Sequence, residues 1–182
     1  MKITYNAPFV LTLTFLTVFV MLFDQFSGET IIHSYFTLHP YFDPYDPLSY
    51  ERLMFYALGH AGWAHLLSNF TYILLIGPIL EEKYGTRNLF VMSLITVIAT
   101  GLLNLLLFPN FLLGASGIVF MMILLVSFTN VKKGYIPLTF ILILVMFLGT
   151  EVLEAFQENN ISEFSHIVGG IFGSIFGFAK NK

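Results

Sequence analysis

A serine enclosed by two glycines is the residue of this sequence best suited to covalent chemistry. Ser116 lies in LLGASGIVF, residues 112–120, with Gly114 and Gly117 on either side. A serine hydroxyl is a weak nucleophile until a base takes its proton, and imidazole is the side chain best matched to that task. His166 is the candidate base. The residue types therefore predict nucleophilic catalysis by a Ser116–His166 pair.

The composition indicates that these residues lie in an integral membrane protein. Of 182 residues, 57% are hydrophobic and 10% are charged, which is too much apolar surface for one water-soluble core. The chain has no cysteine, so disulfides and thiolate chemistry are excluded. A net charge of -3 without clustered Lys and Arg argues against a nucleic-acid partner.

The uncharged tracts of the sequence account for six membrane crossings. Because a bilayer core about 30 Å thick needs roughly 20 helical residues, the uncharged tract 88–131 accommodates two crossings, divided at Pro109 and Asn110. We predict one all-α domain, 1–182, a six-transmembrane-helix bundle with a short central fourth helix. Its spans are about 7–24, 60–81, 88–108, 116–131, 134–153 and 164–179, with an outer loop at 27–58.

The basic residues predict the orientation of the bundle. In the six-span arrangement all Lys and Arg except Arg52 fall on one side, which is the cytoplasmic side by the positive-inside rule. Both termini are therefore expected in the cytoplasm. The first segment lacks a small-residue cleavage site and Asp24 follows it, so we interpret it as a retained span.

Three spans bring polar residues to one depth. With a helical rise of about 1.5 Å per residue, Ser116 lies about 24 Å above the cytoplasmic boundary, and His166 and Asn69 about 21 Å above it. His65 shares the face of Asn69 one turn further out. Any one of these residues alone is compatible with ordinary helix packing or backbone bonding. Their common depth, with no carboxylate beside them, favours a Ser/His dyad.

A fourth helix that starts near Ser116 would place the nucleophile at a helix N-terminus. The preceding residues 109–113 would then enter the protein as non-helical backbone, which is tolerated only where protein shields it from lipid. Unpaired N–H groups and the helix dipole favour developing negative charge at such an end. We expect the Ser116 N–H, the Asn69 amide and the His65 imidazole to stabilise an oxyanion.

A four-residue glycine repeat leaves a smooth stripe on the last span. Gly169, Gly173 and Gly177 form this stripe, and such stripes allow two helices to touch backbone to backbone. Packing of this span against the fourth would press His166 toward Ser116. Helix packing without chemistry explains the stripe equally well.

A metal site is not expected. His60 and His65 would diverge by about 140° around a single helix, without a third ligand at their depth. Glu151, Glu154 and Glu158 recur at helical spacing, but a solvated outer helix end explains them better. We assign no metal and no cofactor.

Together the motifs resemble those of the rhomboid intramembrane serine proteases, over about residues 50–180. The matching stretches are GASG (114–117), SHIVGGIFG (165–173), HLLSN (65–69), EEKYG (81–85) and Arg52, thirteen residues before His65. The resemblance implies Ser116 as nucleophile, His166 as base and an oxyanion site formed with His65 and Asn69. It also implies that the partners are the lipid bilayer and single-pass membrane proteins, cut in their transmembrane segments. For so short a chain we expect a bacterial plasma membrane.

Two positions depart from the family pattern. Many members have a Trp-Arg pair in the first outer loop, but here Glu51 precedes Arg52, which puts the anchoring of that loop in doubt. Phe120 replaces the Tyr that commonly stacks beneath the catalytic His. Phe120 shares a helix face with Ser116, so stacking is expected to survive without the hydroxyl.

Two other functions stay open on the sequence alone. A catalytically inactive relative would bind membrane helices without cutting them, and it should lack the nucleophile or the base. A small transporter would also use broken helices and midplane polar groups. The absence of inverted repeats and the scarcity of intramembrane charges make the transporter the weakest alternative. The pattern defines no oligomeric state.

Overall fold

The computed structural model describes residues 2–108, 110–129, 131–132, 134–154 and 163–180. Pro109, Glu158 and two of the basic residues that predict the orientation, Lys133 and Lys182, lie outside these ranges, and the side chains of Glu151 and Glu154 are likewise not described. Every regular element in the described ranges is a helix: α1 Pro8–Phe26, α2 Ile31–Tyr35, α3 Pro47–Phe55, a 3-10 turn Tyr56–Leu58, α4 Trp63–Tyr84, α5 Thr86–Leu107, α6 Ser116–Val126, α7 Leu138–Glu154 and α8 Glu163–Lys180.

Several helices are suited to a membrane. Within the described residues, α1, α4 and α5 are long and apolar enough to cross a bilayer. The 11-residue α6 and the apolar stretch Phe164–Lys180 of α8 are shorter. At a rise of about 1.5 Å per residue, α6 covers roughly half of a hydrocarbon core. A helix this short needs protein around it.

Helix α6 lies at the centre of the bundle. It packs against α4, α5, α7 and α8. The side chains of Met121, Met122, Leu124 and Leu125 are completely buried. A helix that is apolar on every side is expected in such a position. The residue that begins α6, Ser116, is therefore fixed by the surrounding helices.

The outer loop, residues 27–58 and called the outer segment below, is partly helical. Pro47 occupies the first turn of α3, where a proline costs no hydrogen bond, and Asp46 caps the helix by accepting from the Leu48 N–H at 3.0 Å. Arg52 on α3 donates from Nε to the Ser34 carbonyl on α2, at 2.8 Å. This bond anchors the outer segment although Glu51 stands before the arginine.

Two buried carboxylates satisfy the amide groups at helix starts. Glu81 on α4 accepts from the N–H groups of Phe9 at 2.8 Å and Val10 at 3.1 Å, both in the first turn of α1. Asp24 accepts from the Ile32 N–H at 2.8 Å, in the first turn of α2. These N–H groups have no partner within their own helices, and the positive end of the helix dipole stabilises the carboxylate.

Helix α4 also holds the far end of α6. The Lys83 ammonium donates to the carbonyls of Phe128 and Thr129, just beyond α6. Unpaired carbonyls at a helix C-terminus favour a cation. The last turns of α4 therefore join the start of α1 to the end of α6.

Replacing Glu81 with Ala should destabilise the bundle. The substitution leaves one buried and one half-buried N–H group without an acceptor, and we expect a loss of about 2 kcal/mol. Thermal unfolding of the detergent-purified protein should show a midpoint lower by roughly 5 °C. Glu82→Ala, one residue along and exposed, is the matched control and should leave the midpoint unchanged. Equal midpoints for the two variants would contradict the capping role.

Candidate active site

The chain enters α6 through a short non-helical segment. Leu112 pairs with Leu38 of the outer segment through two backbone hydrogen bonds, of 2.8 and 3.0 Å. The Gly114 N–H donates to the Tyr56 carbonyl at 3.0 Å. Gly114 has φ of +109°, in the left-handed region that favours glycine. This turn delivers Ser116 to the first position of α6, where backbone N–H groups have no partner within the helix.

Side chains of the 3-10 turn Tyr56–Leu58 and of α5 support the turn before Ser116. The Tyr56 hydroxyl donates to the Val97 carbonyl of α5 at 2.9 Å. The Asn104 side chain, also on α5, donates to the Asn110 carbonyl at 2.9 Å. Non-helical backbone in a membrane protein requires such internal partners. The Ser116 turn is therefore held by the outer segment and α5 together.

His65 and Asn69 lie directly against the turn. A Cβ placed on Gly114 would be 2.7 Å from Cε1 of His65, 2.9 Å from its Nε2 and 3.7 Å from Nδ2 of Asn69. Only a glycine permits this approach. The side chains of His65 and Asn69 thus lie close to the backbone two residues before Ser116.

His60 is a site residue that the sequence reasoning missed. Its Nε2 lies 3.0 Å from Nδ2 of Asn69 and 3.4 Å from the Ala115 nitrogen. Since the Ala115 N–H is a donor, Nε2 of His60 is assigned as the acceptor of both contacts. His60 is 2% exposed. It joins the oxyanion candidate Asn69 to the residue before Ser116.

The expected separation of His60 from His65 is wrong. It assumed one helix from residue 60, but α4 begins at Trp63, so His60 lies in the preceding turn. The two rings meet edge to face with centroids 4.8 Å apart. Gly59 and Gly62, on either side of His60, are the signal that a turn precedes the helix. Among the described residues, no three His, Asp or Glu side chains are arranged to hold a metal.

The glycine stripe of α8 lies against α6. A Cβ on Gly169 would collide with the backbone of Gly117, and one on Gly173 with the backbone of Met121. At the lower end, a Cβ on Gly177 would collide with the Phe128 ring. The two helices touch backbone to backbone, as small residues allow. Their relative height is therefore fixed at two successive turns.

This contact brings the start of α8 to Ser116. The hydroxyl oxygens of Ser116 and Ser165 lie 3.0 Å apart. Ser165 immediately precedes His166 and is 2% exposed. The His166 ring stacks on Phe120, with centroids 4.2 Å apart and planes inclined by 30°. Ser165 was also missed, although it stands beside His166 in the motif that carries the resemblance.

The fold defines the class of protein, and a comparison with known families identifies the family within that class. The apolar helices and the membrane composition are those of an integral multi-pass membrane protein. The Rhomboid domain family matches residues 47–182, and the chain belongs to the rhomboid family.

A similar protein is found in a plant. The chain is 29% identical over 120 residues to "Rhomboid-like protein 11, chloroplastic" of Arabidopsis thaliana. The match covers 65% of this chain and 40% of the relative. The chain therefore spans well under two thirds of that relative's length.

Gly169→Ala should separate α8 from α6. The added methyl group meets backbone atoms of Gly117, which cannot move aside, so overpacking should cost about 1–3 kcal/mol. A lower thermal unfolding midpoint in detergent is the expected result. Gly149→Ala on α7 is the control, because its Cβ would meet no described atom within 4 Å. An unchanged midpoint in the Gly169 variant would argue against the backbone contact.

His60→Ala should loosen the turn before Ser116. The change leaves the Asn69 amide and the Ala115 N–H without their acceptor, at a cost of about 1–3 kcal/mol. Amide hydrogen exchange over residues 111–117 should become faster. His60→Gln retains an acceptor and should recover part of the protection, whereas Tyr45→Ala, at a side chain that is 93% exposed, should not affect it. Unchanged exchange in His60→Ala would contradict this role.

Proposed function

We propose that the protein is an intramembrane serine endopeptidase that cuts transmembrane segments of single-pass membrane proteins by a Ser116–His166 dyad. The observation that carries the proposal is the approach of α8 to the start of α6. The Ser116 hydroxyl is 3.0 Å from that of Ser165, and His166 is the next residue. Membership of the rhomboid family supports the same reaction.

In the proposed acylation step, the Ser116 oxygen attacks a peptide carbonyl while His166 takes the hydroxyl proton. The resulting oxyanion accepts from the Ser116 N–H, the Asn69 amide and the His65 imidazole. His166 then donates the proton to the leaving amine. The close approach of His65 and Asn69 to Gly114, two residues before Ser116, supports this assignment.

Phe120 is proposed to orient the base. Its ring stacks on His166 from the next turn of the helix that carries Ser116. A stacked ring limits rotation of the imidazole without giving it a hydrogen bond. In this proposal the aromatic face orients the base, so the hydroxyl of the Tyr more common in the family is dispensable.

Hydrolysis of the acyl-enzyme requires water below the membrane surface. A cavity of about 520 Å³ lies beside the turn, and its lining includes Leu113 and His60. Polar side chains of the outer segment and of the end of α1 also line it, among them Asp24, Glu29 and Thr37. This supports a supply of water from the outer side as far as Leu113, three residues before Ser116.

We propose six crossings, formed by α1, α4, α5, α6, α7 and α8, with both termini in the cytoplasm. The short α6 crosses only part of the bilayer, and the non-helical residues before it complete the passage from the outer face. The distribution of Lys and Arg supports this orientation. The Arabidopsis relative is chloroplastic. We therefore propose the orientation of the helices but not the bacterial plasma membrane expected from the sequence.

The proposed substrate is a membrane helix that unwinds easily. An intact helix hides its carbonyls in its own hydrogen bonds, so the segment must become extended before Ser116 attacks. By analogy with the family, α7 borders the route by which substrate enters. Cleavage is proposed near the outer face, at the depth of Ser116.

A catalytically inactive rhomboid-like protein is the second candidate. The name of the relative, a rhomboid-like protein, keeps this function open. Such a protein would bind membrane helices by the same fold. The presence of Ser116, His166, His65 and Asn69 together speaks against it.

A serine-reactive phosphonate distinguishes the two. The purified protein should be labelled, Ser116→Ala should not be labelled because it lacks the nucleophile, and His166→Ala should be labelled at least a hundredfold more slowly because it lacks the base. Ser174→Ala, at a serine further along α8, is the control and should react like the parent. Labelling that persists in Ser116→Ala would rule out the protease.

A further inference from the structure

We propose that Ser165 is a second catalytic hydroxyl: its O–H donates to the Ser116 oxygen and stabilises the charge that develops there as His166 removes the Ser116 proton. The inference rests on the proposed function and extends it by one residue. The 3.0 Å separation of the two hydroxyl oxygens carries it.

The direction of this hydrogen bond follows from the proton that the dyad must transfer. A serine hydroxyl has one proton to donate and two lone pairs to accept with. If Ser116 gives its proton to His166, its oxygen is left to accept from Ser165. The reverse arrangement, with Ser116 donating to Ser165, would direct the reactive proton away from the base.

Backbone contacts hold Ser165 in place. Its carbonyl oxygen would lie 3.4 Å from a Cβ on Gly117, and one turn later Gly169 meets the Gly117 backbone. Ser165 is 2% exposed, and its helical neighbour Val168 is 4% exposed. A donor fixed in a buried position costs little reorganisation when charge develops, and the lower local dielectric strengthens the bond.

The proton balance leaves Ser165 unchanged at the end of each step. During acylation the Ser116–carbonyl bond forms, the Ser116 proton moves to His166, and from there it moves to the nitrogen released when the peptide C–N bond breaks. During deacylation His166 takes a proton from water, the hydroxide attacks, and the proton returns to Ser116 as its ester bond breaks. Ser165 retains its own proton and stabilises the Ser116 oxygen in both directions.

The test uses the full chain in detergent and a small fluorophosphonate that labels active serines. The maximal inactivation rate, kinact, and the half-saturating concentration, KI, are measured separately. We expect Ser165→Ala to lower kinact about tenfold, the effect of one hydrogen bond to a developing charge, with KI and the thermal midpoint unchanged. Ser174→Ala is the matched control, since it removes a hydroxyl of α8 that bonds the Gly170 carbonyl away from Ser116. Its kinact should stay within twofold of the parent.

The outcomes separate this inference from the proposed function. A parent that does not react at all overturns the protease and the inference with it. A reactive parent with an equal kinact in Ser165→Ala overturns the inference alone. A faster variant also overturns it, because Ser165 would then be holding the Ser116 proton away from His166. A slower variant with a raised KI and a lowered midpoint would indicate a packing role and not a donor.

Discussion

The backbone contact between α6 and α8 is the constraint on which the rest of the structure depends. Gly169 meets Gly117, and Gly173 meets Met121, so the two helices cannot slide past one another without a collision. Because the contact involves backbone and not flexible side chains, it fixes height as well as distance. The hydroxyls of Ser116 and Ser165 then lie within hydrogen-bonding distance. A chemical site at this position requires that fixed register.

Buried polar groups elsewhere serve the same end by closing helix termini. Glu81 holds the first turn of α1, and Lys83 holds the carbonyls that follow α6. In an apolar protein an unpaired backbone group costs more than in water, so these caps determine where helices start and stop. The short α6 depends on them most. It begins in a turn that Gly114 and the outer segment support, and it ends against α4.

The class and the family of the protein could be predicted from the sequence, but the rotation of helices and the local turns could not. Membrane character, the all-helical class and the rhomboid family follow from composition and motifs, and the comparisons confirm the family. The contact between Glu81 and the start of α1 joins segments far apart in the sequence, so the spacing of residues does not predict it. His60 was missed because a uniform helix from residue 60 was assumed, whereas a glycine turn rotates it toward Asn69. Ser165 was missed because depth arithmetic does not say which side of α8 faces Ser116.

A crystal structure of the protein after reaction with a phosphonate tests most directly whether the α6–α8 contact builds a catalytic site around Ser116. We predict phosphorus bonded to the Ser116 oxygen, its phosphoryl oxygen directed at Asn69 and His65, and the α6–α8 glycine contact intact with His166 beside the adduct. An adduct on another residue would contradict the account. So would a phosphoryl oxygen turned away from α4, or helices separated at Gly117.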